Sequence, residues 1–117
     1  MTVVLSQSTA WTALVVAGLM EIVWSIGMKY SEGFSRLGPS ILTFVAAGIS
    51  FWLLAAAVKF LPIGTAYVAW TGIGAVGAAA FGMILFKEPA TVARIACIVL
   101  IIGGIVGLNI LGPDPGA

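Results

Sequence analysis

The sequence predicts an all-α membrane protein with four transmembrane helices, and three observations carry this prediction. Hydrophobic residues make up 62% of the 117 residues, charged residues make up 8%, and the mean hydropathy is +1.21. A soluble domain carries roughly a quarter charged residues, so this chain has too few charges to cover a surface in water. Because lipid offers no hydrogen bonds to an exposed backbone, the spanning segments are expected to be helices. One crossing takes about 20 apolar residues, so this length holds four crossings.

Four apolar stretches follow one another in a single transmembrane domain that spans residues 1–117. A charged loop rich in turn-forming residues separates the first stretch from the second, and a short break at 59–62 separates the second from the third. A further break at 87–89 precedes Thr91, which is placed to cap the fourth helix. We place the four helices at about residues 11–28, 40–58, 63–86 and 92–111.

Composition also limits the chemistry of the chain. With no His and only Cys97 as a thiol, neither an intrachain disulfide nor a transition-metal site is expected. A net charge of +1 offers no basic surface for a nucleic acid. The sequence contains neither a serine-hydrolase elbow nor a phosphate-binding loop, so we expect no enzyme and no cofactor. The classes that remain are transporters, channels and structural membrane subunits, all of them in contact with membrane lipid.

Glu21 is the most informative residue, because it is the only acid that falls well inside an apolar stretch. An ionisable group at bilayer depth costs a few kcal/mol and is a functional candidate by default. The alternative is a structural acid that pairs within the fold or reaches the interface. Loss of water favours the protonated form of a carboxyl group, so an arriving cation can displace the proton, which returns when the cation leaves. A single carboxylate that binds a proton and a cation alternately is therefore sufficient for proton-coupled export.

Polar, aromatic and small residues accompany Glu21 at helical spacing. The aromatic rings attract cations through their faces, although packing or an interfacial belt of aromatic residues would explain each ring by itself. A hydroxyl on the second helix adds a hydrogen-bonding group among apolar neighbours. The companions are Gly18, Trp24 and Ser25 on the first helix, Ser50 on the second, and Tyr67 and Trp70 on the third.

Glycines suggest where helices move or associate. Gly72 and Gly74 permit either close packing or a bend in the third helix. Gly103 and Gly107 form a G-x-x-x-G spacing on the fourth helix, which favours helix association. Four helices are too few for a pathway with two gates, and many transporters complete such a pathway with an inverted repeat. A homodimer of inverted chains would bring two copies of Glu21 together as one coupled titrating pair.

Three segments closely resemble the small multidrug resistance family: AGLMEIVW at 17–24, MKYSEGFSRLGPS at 28–40 and LPIGTAYVAWTGIG at 61–74. The resemblance extends over about residues 11–111. It implies a multi-pass protein of the plasma membrane that works as an antiparallel, dual-topology homodimer of four-helix protomers. It also implies that Glu21 exchanges protons for an exported cation.

Within that family, Trp24 together with WTGIGA at 70–75 and KEP at 87–89 resembles the guanidinium-exporter branch. Guanidinium is planar and weakly hydrated, and its fork of donors matches a carboxylate. The resemblance implies that the paired Glu21 carboxylates bind this cation. It further implies that Trp24 and Ser50 position the carboxylates, and that Tyr67 and Trp70 line the site. Gly18 corresponds to the small residue beneath the carboxylate. The resemblance also implies a kink in the third helix at Gly72 and Gly74, and dimerisation through the fourth helix, which carries Gly103 and Gly107.

Several alternatives remain open at the level of sequence. Within the same family, the substrate would be a quaternary ammonium or polyaromatic cation. From other classes come a proton-carrying rotor subunit, which usually has only two helices, and a structural membrane subunit that transports nothing. Two features depart from the family pattern. The first ten residues extend beyond the family core, and the loop charges place both termini outside by the positive-inside rule, against an equal dual topology.

Overall fold

The computed structural model describes residues 7–111 and, within that range, consists of four α-helices joined by short loops. Their bounds are Gln7–Tyr30 (α1), Leu37–Ala57 (α2), Ile63–Leu85 (α3) and Val92–Leu111 (α4). Each helix is long and apolar enough to cross a membrane. The predicted all-α membrane fold with four spanning helices is therefore confirmed.

Three helix ends, the start of α3 and both ends of α4, coincide with the expected ranges, and the other five differ by one to four residues. α1 begins at Gln7 rather than at residue 11, because the small polar residues before Trp11 continue the helix and the Thr12 hydroxyl donates to the Ser8 carbonyl oxygen at 3.0 Å. α2 begins at Leu37, so Pro39 lies in its first turn. Proline is tolerated there because the N–H groups of a first turn have no hydrogen-bond partner within the helix.

The loop between α1 and α2 is organised by one buried serine. The Ser31 hydroxyl donates to the Met28 carbonyl oxygen at 2.6 Å and accepts from the Phe34 N–H at 3.0 Å. Glu32, Gly33 and Phe34 follow one another in the left-handed region, with φ of 49°, 75° and 66°. Three such residues reverse the chain within a few residues, so α2 returns directly along α1.

The starts of α3 and α4 follow from the residues that precede them. Pro62 has extended backbone angles and stands immediately before Ile63, the first residue of α3. At the start of α4 the Thr91 hydroxyl oxygen accepts from the Arg94 N–H at 3.2 Å. This contact satisfies one of the free N–H groups of the first turn, so the predicted Thr91 cap is confirmed.

α1 lies between α2 and α3, whereas α4 packs against α3. Close approach is possible because the meeting faces carry small residues, as is usual between membrane helices. Gly72 faces Ile105 of α4, and Gly77 faces Ile22 of α1. The buried hydrophobic core consists of Ala10, Leu14, Ala17, Ala57, Leu61, Ala66, Ala69 and Trp70.

Candidate functional site

The Glu21 carboxyl group lies between α1 and α3, against the backbone of Gly74. A Cβ atom built on Gly74 would come within 2.7 Å of the Cβ and Cδ atoms of Glu21, and closer still to its Oε2 atom. Only a glycine on α3 therefore leaves room for this side chain. The Oε2 atom is buried and has no hydrogen-bond partner among the described residues.

Glu21 and Trp24 border one cavity of about 230 Å³. Like Glu21 Oε2, the Trp24 Nε1 atom is buried and makes no hydrogen bond within residues 7–111. A buried polar group without a partner costs about 1–3 kcal/mol. An unpaired acceptor and an unpaired donor thus belong to two side chains that border the same small cavity.

Ser50 and Trp70 form a hydrogen-bonded cluster with α1, and neither residue borders the Glu21 cavity in this structure. The fully buried Ser50 hydroxyl donates to the Ala17 carbonyl oxygen at 2.7 Å and accepts from Trp70 Nε1 at 2.9 Å. In α-helical geometry the Ala17 carbonyl also accepts from the N–H of Glu21, four residues later. The cluster ties α2 and α3 to the turn of α1 that carries Glu21.

The Ser50 contacts differ from the role that the family resemblance assigns to this residue. Its hydroxyl has one proton, which goes to the Ala17 carbonyl rather than to the Glu21 carboxylate. In this structure Ser50 therefore holds the α1 backbone beside Glu21. Direct positioning of the carboxylate by Ser50 stays a prediction for other states of the protein.

Tyr67 and Trp70 lie next to each other on α3, with ring centroids 5.4 Å apart and planes inclined by 56°. Phe51 of α2 packs on the other side of Trp70, at 5.2 Å between centroids. Trp70 is buried, whereas Tyr67 is 52% exposed. The indole ring is therefore fixed by its neighbours, while about half of the tyrosine side chain is exposed on the surface of the protomer.

Two of the predicted glycines lie outside the Glu21 cavity. A Cβ atom on Gly18 would come 2.6 Å from Ile73 Cγ2, and one on Gly72 would come 2.7 Å from Ile105 Cδ1. In this structure both glycines serve close helix packing, on α1 against α3 and on α3 against α4. α3 continues as a helix through Gly72 and Gly74, so a kink there stays a prediction.

Gly103 and Gly107 lie on α4, where a Cβ atom at either position would meet no atom within 4 Å. α4 is the only one of the four described helices without a buried residue. These glycines thus have no packing partner among residues 7–111. Their predicted role in dimerisation remains a prediction, and the open space around them leaves room for a second chain.

Three residues of α3 that sequence reasoning did not assign to the site border the Glu21 cavity: Thr71, Ala75 and Ala78. Together with Gly74 they recur at spacings of three and four residues, which places all four on one helical face. These residues could be identified from the sequence only if Gly74 were already known to pack against Glu21. Ser25 borders the cavity too, but its hydroxyl donates to the Ile22 carbonyl oxygen at 2.9 Å.

The side chains that border this cavity suit an organic cation or a proton better than a metal ion. Among the described residues there is no group of three or more His, Cys, Asp or Glu side chains that could hold a metal. A single carboxylate with aromatic and hydroxyl neighbours matches a monovalent cation that brings its own hydrogen-bond donors.

Comparison with known protein families gives a match over residues 9–101 to the family described as Small Multidrug Resistance protein. The match begins at the start of α1 and runs through the first half of α4. It includes every residue assigned to the substrate site.

Several curated relatives align over 101 residues. A guanidinium exporter of Yersinia pseudotuberculosis is 58% identical, covering 86% of this chain and 97% of the relative. Guanidinium exporters of Escherichia coli strain K12 and Salmonella typhimurium are each 54% identical, covering 86% of this chain and 96% of the relative.

Proposed function

Because the chain belongs to the small multidrug resistance family, we propose that it exports guanidinium cations across the plasma membrane in exchange for protons. Its four spanning helices make it a multi-pass membrane protein, and the relatives at 54–58% identity carry the name guanidinium exporter. The proposal adds a mechanism built on one carboxylate, Glu21, in each protomer.

The observation that carries the proposal is the unpaired Glu21 carboxyl group at the small cavity. A buried charge without a partner is strongly unfavourable, so this group takes either a proton or a cation. Proton and substrate compete for the same oxygen atoms and do not occupy them together. Exchange of one for the other is then a property of the site and needs no catalytic step.

Guanidinium fits the chemistry of the cavity better than a compact cation does. Its donors lie in a plane and pair with a carboxylate in a forked geometry. It is also weakly hydrated and stacks on aromatic rings, and the Trp24 side chain borders the cavity. Trp70 and Tyr67, which the family resemblance assigns to the site, do not border the cavity within one protomer. The cavity of one protomer measures about 230 Å³, which suits a small planar cation.

A second, inverted copy of the chain completes the proposed pathway. α4 buries no residue within its own protomer, and Gly103 and Gly107 leave space for another helix. Two inverted protomers would bring two Glu21 carboxylates to one central site, where they titrate as a coupled pair. A rearrangement of α3 around Gly72 and Gly74 would then open that site to one side of the membrane at a time.

The test uses the full-length protein in liposomes loaded with a pH-sensitive dye. An imposed guanidinium gradient is expected to drive proton movement in the opposite direction. Glu21→Gln, which keeps the size of the side chain but removes its charge, is expected to abolish this movement. The matched control is Glu32→Gln, because Glu32 is an exposed acid in the α1–α2 loop and is expected to leave the flux unchanged.

The same assay separates the alternatives. Proton flux driven by a large quaternary ammonium or polyaromatic cation, with none driven by guanidinium, would contradict the proposed substrate while leaving the antiport mechanism in place. Proton flux that is the same in Glu21→Gln as in the parent would contradict the mechanism itself. Absence of flux with every cation in a correctly assembled protein would favour a structural subunit.

A further inference from the structure

We propose that a groove on the face of α1 opposite Glu21 binds one acyl chain of an anionic phospholipid. The groove has a volume of about 650 Å³ and lies between α1, α2 and α3. The residues of the lining that the argument uses are Leu19, Ile26 and Tyr30 of α1, Gly38 and Leu42 of α2, and Phe81 of α3.

The groove is separate from the cavity at Glu21. With 3.6 residues per turn, Leu19 and Ile26 point roughly 140–160° away from Glu21 around the helix axis. No residue that borders the carboxylate cavity also lines the groove. An occupant of the groove therefore does not compete with the proposed substrate for the same space.

The length of the groove matches one leaflet of a bilayer. From Leu19 to Tyr30 the helix rises about 17 Å, and half of a hydrocarbon core of about 30 Å is about 15 Å. Leu19 is near the middle of α1, and Tyr30 is its last residue. The groove thus runs from the centre of the membrane to one interface, along the course of a single acyl chain.

The lining selects an apolar occupant. All of its side chains are apolar except for the hydroxyl group of Tyr30. A guanidinium cation placed here would lose its hydration without gaining hydrogen bonds, which is strongly unfavourable. A hydrocarbon chain meets no such cost, because it exchanges bilayer neighbours for side-chain neighbours of similar polarity.

The interfacial end of the groove adds positive charge. The Tyr30 ring lies 5.3 Å from the Phe86 ring between centroids, and Lys29 Nζ is 5.7 Å from the Phe86 ring centroid. The ammonium group therefore lies beside an aromatic pair in which one ring, that of Tyr30, lines the groove. A cation at this depth meets the headgroup region, where basic side chains attract anionic lipids.

Other charges at this end leave a positive excess. Arg36 stands two residues before Gly38, and Lys87 follows Phe86 directly. Two acids share this end: Glu32, and Glu88, whose carboxylate lies against Gly82 at the end of α3. With Lys29, and with Arg94 in the first turn of α4, four cations stand against two acids at this end of the helices. This excess favours an anionic headgroup over a zwitterionic one.

The experiment measures lipid retention by native mass spectrometry on the full-length protein in detergent. Phosphatidylglycerol and phosphatidylcholine with the same acyl chains are titrated separately, and bound lipids are counted per protomer. About one phosphatidylglycerol per protomer is expected, with an apparent Kd about fivefold lower than that of phosphatidylcholine. This measurement does not depend on transport, so its outcome is independent of the proposed function.

A pair of glycines on α2 supplies matched variants. Gly38 lines the groove and Gly48 does not, yet both are exposed and a Cβ atom at either would meet no atom within 4 Å. Gly38→Phe is expected to fill the groove and raise the apparent Kd for phosphatidylglycerol by about tenfold. Gly48→Phe is expected to leave it within about twofold.

Lysine variants test the headgroup without filling the groove. Lys29→Gln is expected to remove the preference for phosphatidylglycerol over phosphatidylcholine, whereas Lys59→Gln, at the opposite end of the helices, is expected to keep it. Equal binding of the two lipids by the parent protein would overturn the proposal, as would an equal loss in both phenylalanine variants. A change of oligomeric state in Gly38→Phe alone would show that a second copy, not a lipid, occupies the groove.

Discussion

α1 and α4 are both apolar helices of spanning length, but their surroundings differ. α1 buries Ala10, Leu14 and Ala17 and carries Glu21 against Gly74 of α3. α4 buries no residue, although it is the most apolar of the four. Hydrophobicity therefore does not decide which helix is buried in this protein, since lipid covers an apolar side chain as well as protein does.

This difference in burial indicates different roles for α1 and α4. Packing around α1 leaves one polar side chain in a confined place, where its charge has a large effect. α4 keeps its surface free for lipid or for another chain. Four substitutions, each with a matched control, test whether these roles are separable.

The largest effect is expected from Gly74→Ala, which places a methyl group where the Glu21 side chain lies. Overpacking of this kind costs about 1–3 kcal/mol, so the carboxylate is displaced and guanidinium-driven proton flux falls by about tenfold or more. Gly64→Ala is the control, because a Cβ atom on Gly64 of the same helix meets nothing within 4 Å. Equal fluxes in the two variants would mean that Gly74 does not confine the carboxylate.

The next effect is expected from Ser50→Ala, which removes the hydroxyl that joins Ala17 to Trp70. The buried Trp70 Nε1 then lacks an acceptor, so unfolding is expected to become easier by about 1–3 kcal/mol. Thermal unfolding in detergent measures this loss. Ser40→Ala serves as the comparison, since the Ser40 hydroxyl bonds only to the Arg36 carbonyl of its own helix region. A larger loss in the control would show that the cluster does not hold α1 in place.

A moderate effect on assembly is expected from Gly107→Leu on α4. A side chain there has free space within the protomer, so stability of the single chain is preserved while close approach of a second α4 is blocked. The dimer dissociation constant, measured by energy transfer in liposomes, is expected to rise about fivefold, or roughly 1 kcal/mol. Gly48→Leu, on an exposed face of α2, is expected to leave it unchanged. Equal dissociation constants in Gly107→Leu and the parent would remove α4 from the dimer interface.

The smallest effect is expected from Thr91→Ala. Loss of the cap to the Arg94 N–H costs about 0.5–2 kcal/mol locally, and only the first turn of α4 is affected. Amide exchange at the start of α4 is expected to accelerate, while the Glu21 site and transport are unchanged. Thr12→Ala on α1 is the control, because the Thr12 hydroxyl bonds within its own helix at the start of α1. Faster exchange throughout α4 would show that the cap supports more than one turn.

Much of the fold follows from local sequence. The four helices could be placed to within a few residues because breaks containing Pro, Gly and charges separate apolar stretches, and Thr91 is a typical cap. Errors occurred at the start of α1 and α2, where small polar residues and Pro39 are compatible with either a loop or a first helical turn. Such residues carry no strong preference, and packing settles their conformation.

The candidate site was predictable in part. Glu21 stands out because an acid in an apolar stretch is costly, and Trp24 follows from helical spacing. The residues opposite them on α3, Thr71, Ala75 and Ala78, were not identified. Their side chains are unremarkable alone, and only the rotation of α3 relative to α1 brings them to the cavity.

Composition and local periodicity are enough to predict the membrane environment, the number of helices and the one carboxylate that is costly to bury. Three features follow from helix packing instead: Gly74 faces Glu21, the Ser50 hydroxyl donates to the Ala17 carbonyl oxygen, and α4 has no buried residue. These features depend on the rotation and spacing of neighbouring helices. In a uniformly apolar chain the hydrophobic pattern does not specify that rotation, so contacts between small residues and a few polar atoms do.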